Sequence, residues 1–301
     1  MPREGVGARK RPAIRIELPS DRLQVLRFIQ ALSESDYLVC IAPEYLTKLE
    51  YLKQYFDARF SESRGDEQLI TDFEIIHETP LTRIGSIERP LIFPRAYFSY
   101  LRELWDLGRD IDFSFIGLMT PARIDSLNAW LKRQGVLNGI PRPPFLKEYL
   151  IMREKIKRWL RVHSSGVTQF IFQTKFGSVM LGASDKGRVF PGKAWDDDYF
   201  RMLARSRFVL CPAGDFVWTY RFFESIMCGA IPIVEASCSS YNGFRYFTMD
   251  DPLADIRWSS EIAEHNFNAC LELLTISREA LNEEISQILS MGSREDVPLV
   301  R

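Results

Sequence analysis

The stretch PAGDFVWTYRFFE, residues 212–224, puts a proline, a Gly-Asp turn, a helix-starting threonine, an arginine and a glutamate within reach of one another. Each has a use at an anion site. Free N–H groups at a helix N-terminus attract phosphate, and a guanidinium in the first turn can grip a diphosphate with two parallel hydrogen bonds. A carboxylate one turn further on accepts hydrogen bonds, for instance from ribose hydroxyls. Arg221 and Glu224 are three residues apart and therefore share a helix face. The plainer alternative is that they pair with each other on the surface, a contact worth about 0.2–0.5 kcal/mol. Phe222, Phe223, Ile226 and Met227 make most of this helix core-facing, which favours a cleft as the place for the polar pair.

The elements that must hold these residues read as a compact α/β unit. Strand FVLCP leads into the Gly-Asp turn, helix TYRFFESIMCG follows, and strand IPIVE closes the unit after Gly229. In open α/β sheets ligands bind beyond the carboxyl ends of the strands, and here that edge is Cys211 to Asp215. Upstream, IDFSFIG, FIFQ and VMLGA read as strands, and ARIDSLNAWLKRQG and DDYFRMLARS as helices. Strands without strict alternation, separated by helices, predict a parallel sheet covered on both faces. A helical tail runs from Ser259 to about Met291.

The chain changes character near residue 108. Before it, DRLQVLRFIQALSE, EYLTKLEYLKQYFDARF and FPRAYFSYLRELWDL read as helices, and YLVCIA and FEIIHE as strands. The expected domains are therefore 1–108, a small α/β domain, and 109–301, the ligand-binding one. The 301 residues carry 39 Lys plus Arg against 40 Asp plus Glu, so no global field gathers nucleic acid or an anionic membrane. Five scattered cysteines indicate neither a disulfide framework nor a zinc site. No run of 18 apolar residues occurs and no apolar leader follows the basic start, so the expectation is a soluble, cytoplasmic protein without a transmembrane segment.

Ser206, Phe208, Leu210, Pro212, Gly214, Asp215, Arg221, Glu224, Gly229, Ile231 and Pro232 fall in an order and spacing that resembles the donor-binding half of exostosin-like glycosyltransferases, the GT47 type of the GT-B superfamily. The resemblance centres on residues 206–233. Further back, FSFIG with Gly117 and the downstream Arg123 is similar to the family's strand, glycine and arginine. The family more often has Asp where Glu224 stands.

The resemblance implies an α/β, GT-B-like fold: two Rossmann-like domains, the N-terminal one reduced and on the acceptor side. It implies an inverting transfer from a nucleoside-diphosphate sugar, a UDP-sugar being the expected donor, to a carbohydrate acceptor. The donor would be met by Gly117, Arg123, Pro212, Gly214, Asp215, Thr219, Arg221 and Glu224, with no obligatory metal or other cofactor. The general base is unassigned; His77 and Glu78, in IIHETP, are the candidates. Two alternatives stand beside this reading. One is a nucleotide-sugar-binding module without catalysis. The other is a metal-dependent glycosyltransferase that uses Asp196, Asp197 and Asp198, a triplet that also suits a helix N-cap. Lys175 and Lys186 are further candidates for the cleft, and Arg153, Lys155, Lys157, Arg158 and Arg161 read as the solvated face of an amphipathic helix. Neither a phosphate-loop spacing nor a nucleophile elbow nor a basic nucleic-acid motif is found.

Overall fold

Apolar runs too short for helices become the strands of two parallel sheets, one in each of two units. The computed structural model describes residues 12–137, 139–140, 152, 168–184 and 187–295. The first unit lies within Met1–Ala96 and Leu273–Arg301, the second within Tyr97–Glu272. The basic run 153–161 and Lys186 lie outside the described residues.

In the first unit, β1 (Ala13–Arg15), α1 (Leu23–Leu32), β2 (Leu38–Ile41), α2 (Pro43–Leu49), β3 (Phe60–Glu62) and β4 (Gln68–Leu69) follow in turn. The strands pair in the order β3-β2-β1-β4, all parallel. Three further strands, β5 (Phe73–Ile76), β6 (Leu81–Ile84) and β7 (Ile87–Arg89), form a separate antiparallel sheet. The FEIIHE strand thus pairs with a hairpin and not with the parallel sheet.

Helix α3 (Arg95–Glu103) crosses the division between the units, which falls at Ala96 and Tyr97 where the sequence suggested residue 108. The reason is its apolar face. Tyr97 packs on Trp195 at 4.6 Å between ring centroids, and Phe98 meets Phe267 at 5.4 Å, so this helix belongs to the second unit's core. The tail also departs from expectation. The chain from Leu273 returns to the first unit, where Glu284 accepts from the Ser86 amide (2.6 Å) and hydroxyl (2.8 Å). Arg278 and Asn282 there hold Asp36.

The second unit contains β8 (Ile111–Leu118), α4 (Pro121–Arg133), β9 (Thr168–Thr174), β10 (Gly177–Ser184), α5 (Asp197–Arg205), β11 (Ser206–Cys211), α6 (Tyr220–Met227), β12 (Ile231–Val234), β13 (Phe247–Thr248) and α7 (Ser260–Leu274). Its sheet runs β13-β12-β11-β8-β10-β9, parallel except for β9. From β8 the chain passes to β10 on one side and then returns to β11 on the other. The strand order therefore reverses beside β8. Phe113, Phe115, Trp130, Leu181, Phe208 and Ile233 belong to one core cluster around that strand. Between them the buried Ser206 hydroxyl donates to Ser114 Oγ at 2.7 Å, so a polar contact in the sheet interior is satisfied.

Caps fix the helix ends. Thr219 accepts from the Phe222 amide at 3.3 Å and starts α6, and Asp196 accepts from the Tyr199 amide at 3.0 Å and starts α5. Gly229 ends the α6 turn with φ +72°, and a methyl group added there would strike the Arg109 guanidinium and the Trp105 ring. Among the described residues no helix is long and apolar enough to cross a membrane. Gly229→Ala is expected to lower unfolding free energy by about 1–3 kcal/mol or more, read from urea denaturation, because it adds left-handed strain to a steric clash.

Candidate functional site

The carboxyl edge of the second unit's sheet, where the strand order reverses between β8 and β11, is the place where open α/β sheets bind ligands. Gly117 sits at the end of β8 with φ +154°, and the Arg221 guanidinium lies where a side chain at 117 would be. Arg221 is 8% exposed. Its Nε donates to the Ile116 carbonyl at 2.9 Å, and its guanidinium lies 4.1 Å from the centroid of the Phe115 ring. Its Nη1 is buried and has no hydrogen-bond partner among the described residues. A buried charged donor left unpaired is costly, and such an atom at a ligand edge points to an external acceptor.

Arg123 comes to the same edge from the first turn of α4. Its Nε donates to the Ala213 carbonyl (3.1 Å) and its Nη1 to the Leu118 carbonyl (3.0 Å), which ties the ends of β8 and β11 together. Gly214 is needed there, since the Arg123 guanidinium fills the space a side chain at 214 would take. Burial first, and then the like charge of Arg221, pull the Arg123 guanidinium down to about 10, with Asp215 opposing them. It remains a full cation at neutral pH. Asp215 is exposed and Pro212 is buried at the end of β11. The sheet edge thus gathers Gly117, Arg123, Pro212, Gly214, Asp215 and Arg221.

The start of α6 is less open than the spacing suggested. The Thr219 amide donates to the Tyr241 hydroxyl at 2.9 Å, and the Phe222 amide is taken by Thr219 itself. Glu224 departs further. Its side chain is fully buried, its Oε1 accepts from Arg188 Nη1 at 2.8 Å, and its Oε2 accepts from Arg188 Nη2 and from the Tyr199 hydroxyl at 2.8 Å. The carboxylate read as a ribose ligand is therefore engaged by the protein's own donors. Burial works against the Arg188 charge, but Glu224 outweighs it and holds that guanidinium raised. Burial, followed by Glu224, pushes the Tyr199 phenol well up.

Arg188 and Tyr199 carry no motif in the sequence. Arg188 sits in a loop after β10, and Tyr199 reads as an ordinary first-turn residue of α5. The available signal was an arginine four residues after a strand of the sheet.

Other sequence candidates lie elsewhere. Lys175 is in the turn before β10, at the amino end of the parallel strands and so at the opposite sheet edge. His77 and Glu78 lie in the turn between β5 and β6 of the first unit. There His77 Nδ1 is 3.2 Å from Gln24 Oε1, and Gln24 in turn donates to the Ile76 and Leu81 carbonyls. In the aspartate triplet, Asp196 caps α5, Asp197 accepts from Tyr100 at 2.6 Å and pairs with Arg201, and Asp198 is exposed.

Residues 189–249, spanning α5 to β13, match the family model described as the RXYLT1 C-terminal domain. That span contains Arg221 and Glu224 but not Gly117 or Arg123. No curated protein matches the chain. Among solved structures, a crystal structure of AviGT4, a glycosyltransferase involved in avilamycin A biosynthesis, aligns with 93% of this chain and 97% of its own at 12% identity and a TM-score of 0.42.

Gly117→Ala is expected to displace the Arg221 guanidinium and weaken inorganic pyrophosphate binding about tenfold, equivalent to about 1.4 kcal/mol. Isothermal titration measures this, with a thermal melt to confirm that the variant is folded.

Proposed function

We propose that the chain is an inverting glycosyltransferase whose second unit holds a nucleoside-diphosphate sugar by its diphosphate. One observation carries the reading: the buried Arg221 guanidinium and the half-buried Arg123 guanidinium meet at the β8–β11 edge, and one nitrogen of Arg221 lacks a partner among the described residues. A diphosphate is an anion of matching charge and spread. The family match over 189–249 supports the same class of donor. The two α/β units, each with a parallel sheet, suit a GT-B arrangement in which the first unit carries acceptor contacts.

In the transfer, an acceptor hydroxyl oxygen bonds to the anomeric carbon from the face opposite the donor diphosphate. The carbon–oxygen bond to the diphosphate breaks, the electron pair leaves with it, and a general base takes the hydroxyl proton. Negative charge gathers on the leaving diphosphate. Arg221 and Arg123 are already positioned by backbone carbonyls and meet that charge without reorganising. Guanidiniums in this place supply the charge that a divalent cation supplies elsewhere, so no metal is obligatory. A UDP-sugar is the first donor to test and a carbohydrate hydroxyl the first acceptor.

A thermal-shift panel of nucleotides and nucleotide sugars tests the donor. One nucleoside diphosphate and its sugar conjugate should raise the midpoint by the amount mass action requires, in EDTA as well as in magnesium. Transfer or donor hydrolysis in EDTA then marks an enzyme, while donor binding without turnover marks a nucleotide-sugar-binding module. A midpoint that moves with no nucleotide overturns the reading.

A further inference from the structure

The sheet edge that gathers Arg123 and Arg221 also carries a carboxylate outside the sequence motif. Glu235 directly follows β12, the strand on the far side of β11 from β8. Its Oε2 accepts from the Ala213 amide at 2.9 Å, and the carbonyl of the same Ala213 accepts from Arg123 Nε at 3.1 Å. One residue of the turn after β11 is thus held at its N–H by a carboxylate and at its C=O by a guanidinium. Glu235 is exposed and makes neither an ion pair nor a second hydrogen bond among the described residues, so its Oε1 is left for an external donor.

Neighbouring strands lie roughly 5 Å apart, which puts the ends of β8 and β12 about 10 Å from each other with the β11 turn between them. A ligand whose diphosphate lies against the guanidiniums and whose remainder runs across β11 meets Glu235 next. An ionised carboxylate only accepts hydrogen bonds. A phosphate has no proton to give it, whereas a sugar hydroxyl has one. Asp215, the other exposed carboxylate named at this edge, has no hydrogen bond among the described residues to fix its direction, and its charge acts on Arg123.

We propose that Glu235 accepts hydrogen bonds from the ribose hydroxyls of the nucleoside diphosphate, the part first read for the buried Glu224. The inference rests on the anion-site reading above and adds the direction in which the ligand lies, with the diphosphate toward β8 and the ribose toward β12.

A cycle that alters both protein and ligand tests this, with inorganic pyrophosphate, UDP and 2′,3′-dideoxy-UDP as probes, isothermal titration as the readout and thermal melts as the check on folding. Glu235→Gln keeps an acceptor for the Ala213 amide and removes the charge. It should bind UDP about tenfold more weakly than the parent, the loss of hydrogen bonds to a charged acceptor. Pyrophosphate should bind it at least as tightly as the parent, since a negative charge has left the edge. The parent should bind dideoxy-UDP about tenfold more weakly than UDP, and the variant should bind the two alike. Every ribonucleotide has the ribose, so the comparison does not depend on which base the site prefers.

If the variant binds all three probes as the parent does, Glu235 only fastens the turn and the proposal is wrong. If UDP and pyrophosphate weaken together, the carboxylate acts through the diphosphate and the proposal is wrong in another way. If the variant still favours UDP over dideoxy-UDP tenfold, the hydroxyls are met elsewhere, and again it fails. In all three cases the donor reading stands. A parent that binds neither pyrophosphate nor UDP overturns both. Should Glu235→Gln not fold, Glu235→Asp, whose carboxylate is one methylene shorter in reach, decides by the same comparison of UDP with dideoxy-UDP.

Discussion

A guanidinium cannot shed its charge when it is buried, so each arginine inside the second unit has to be compensated by something the fold provides. The compensation is graded. Arg188 has a carboxylate, bonded by both terminal nitrogens. Arg109 has the carbonyls of Ala204, Ser206 and Cys228, at 2.8, 2.7 and 3.0 Å, with burial pulling it down to about 10. Arg123 has two carbonyls and Arg221 one. The order has a spatial meaning. Arg109 precedes β8 and ties the amino edge of the sheet, where it closes helix and strand ends. Arg123 and Arg221, the least compensated, stand at the carboxyl edge, where the proposed diphosphate would complete them.

Much of this half was legible in the sequence because it is local. Strand, Gly-Asp turn, helix, glycine and strand follow one another within about thirty residues, and apolar runs marked β8, β10, β11 and β12 to within a residue or two. Gly117, Arg123, Gly214 and Arg221 were singled out individually, and the sheet brings them together. Glu224 was read as a ribose ligand beside Arg221, but spacing on a helix does not say which distant group competes for a side chain. Its partner, Arg188, lies 36 residues back in a loop without periodicity.

The first unit was harder to read for similar reasons. Its antiparallel sheet carries a local signal in Gly85-Ser86, between two short alternating runs, and Gly85 adopts φ +52° as a tight hairpin requires. The return of the C-terminal chain has no such mark. It depends on Glu284 meeting Ser86 across 198 residues and on Asp36 meeting Arg278 and Asn282, contacts that no pattern within either segment announces. The division at Ala96 likewise follows from where the aromatic face of α3 finds rings to pack against.

Two like charges held close together repel, and the fold resists that repulsion with backbone carbonyls, which neither titrate nor move when a ligand arrives. Side-chain partners would have to be displaced first, and the ligand would bear that cost. Carbonyls at the ends of β8 and β11 fix the two guanidiniums without neutralising them, so most of their field remains for an anion. Such a field favours the state with the most negative charge. In the proposed transfer that state is the separating diphosphate, not the intact donor. In that proposal the mutual repulsion of the two guanidiniums gives the edge leverage over bond cleavage, and the lack of side chains at Gly117 and Gly214 is what leaves room for both cations.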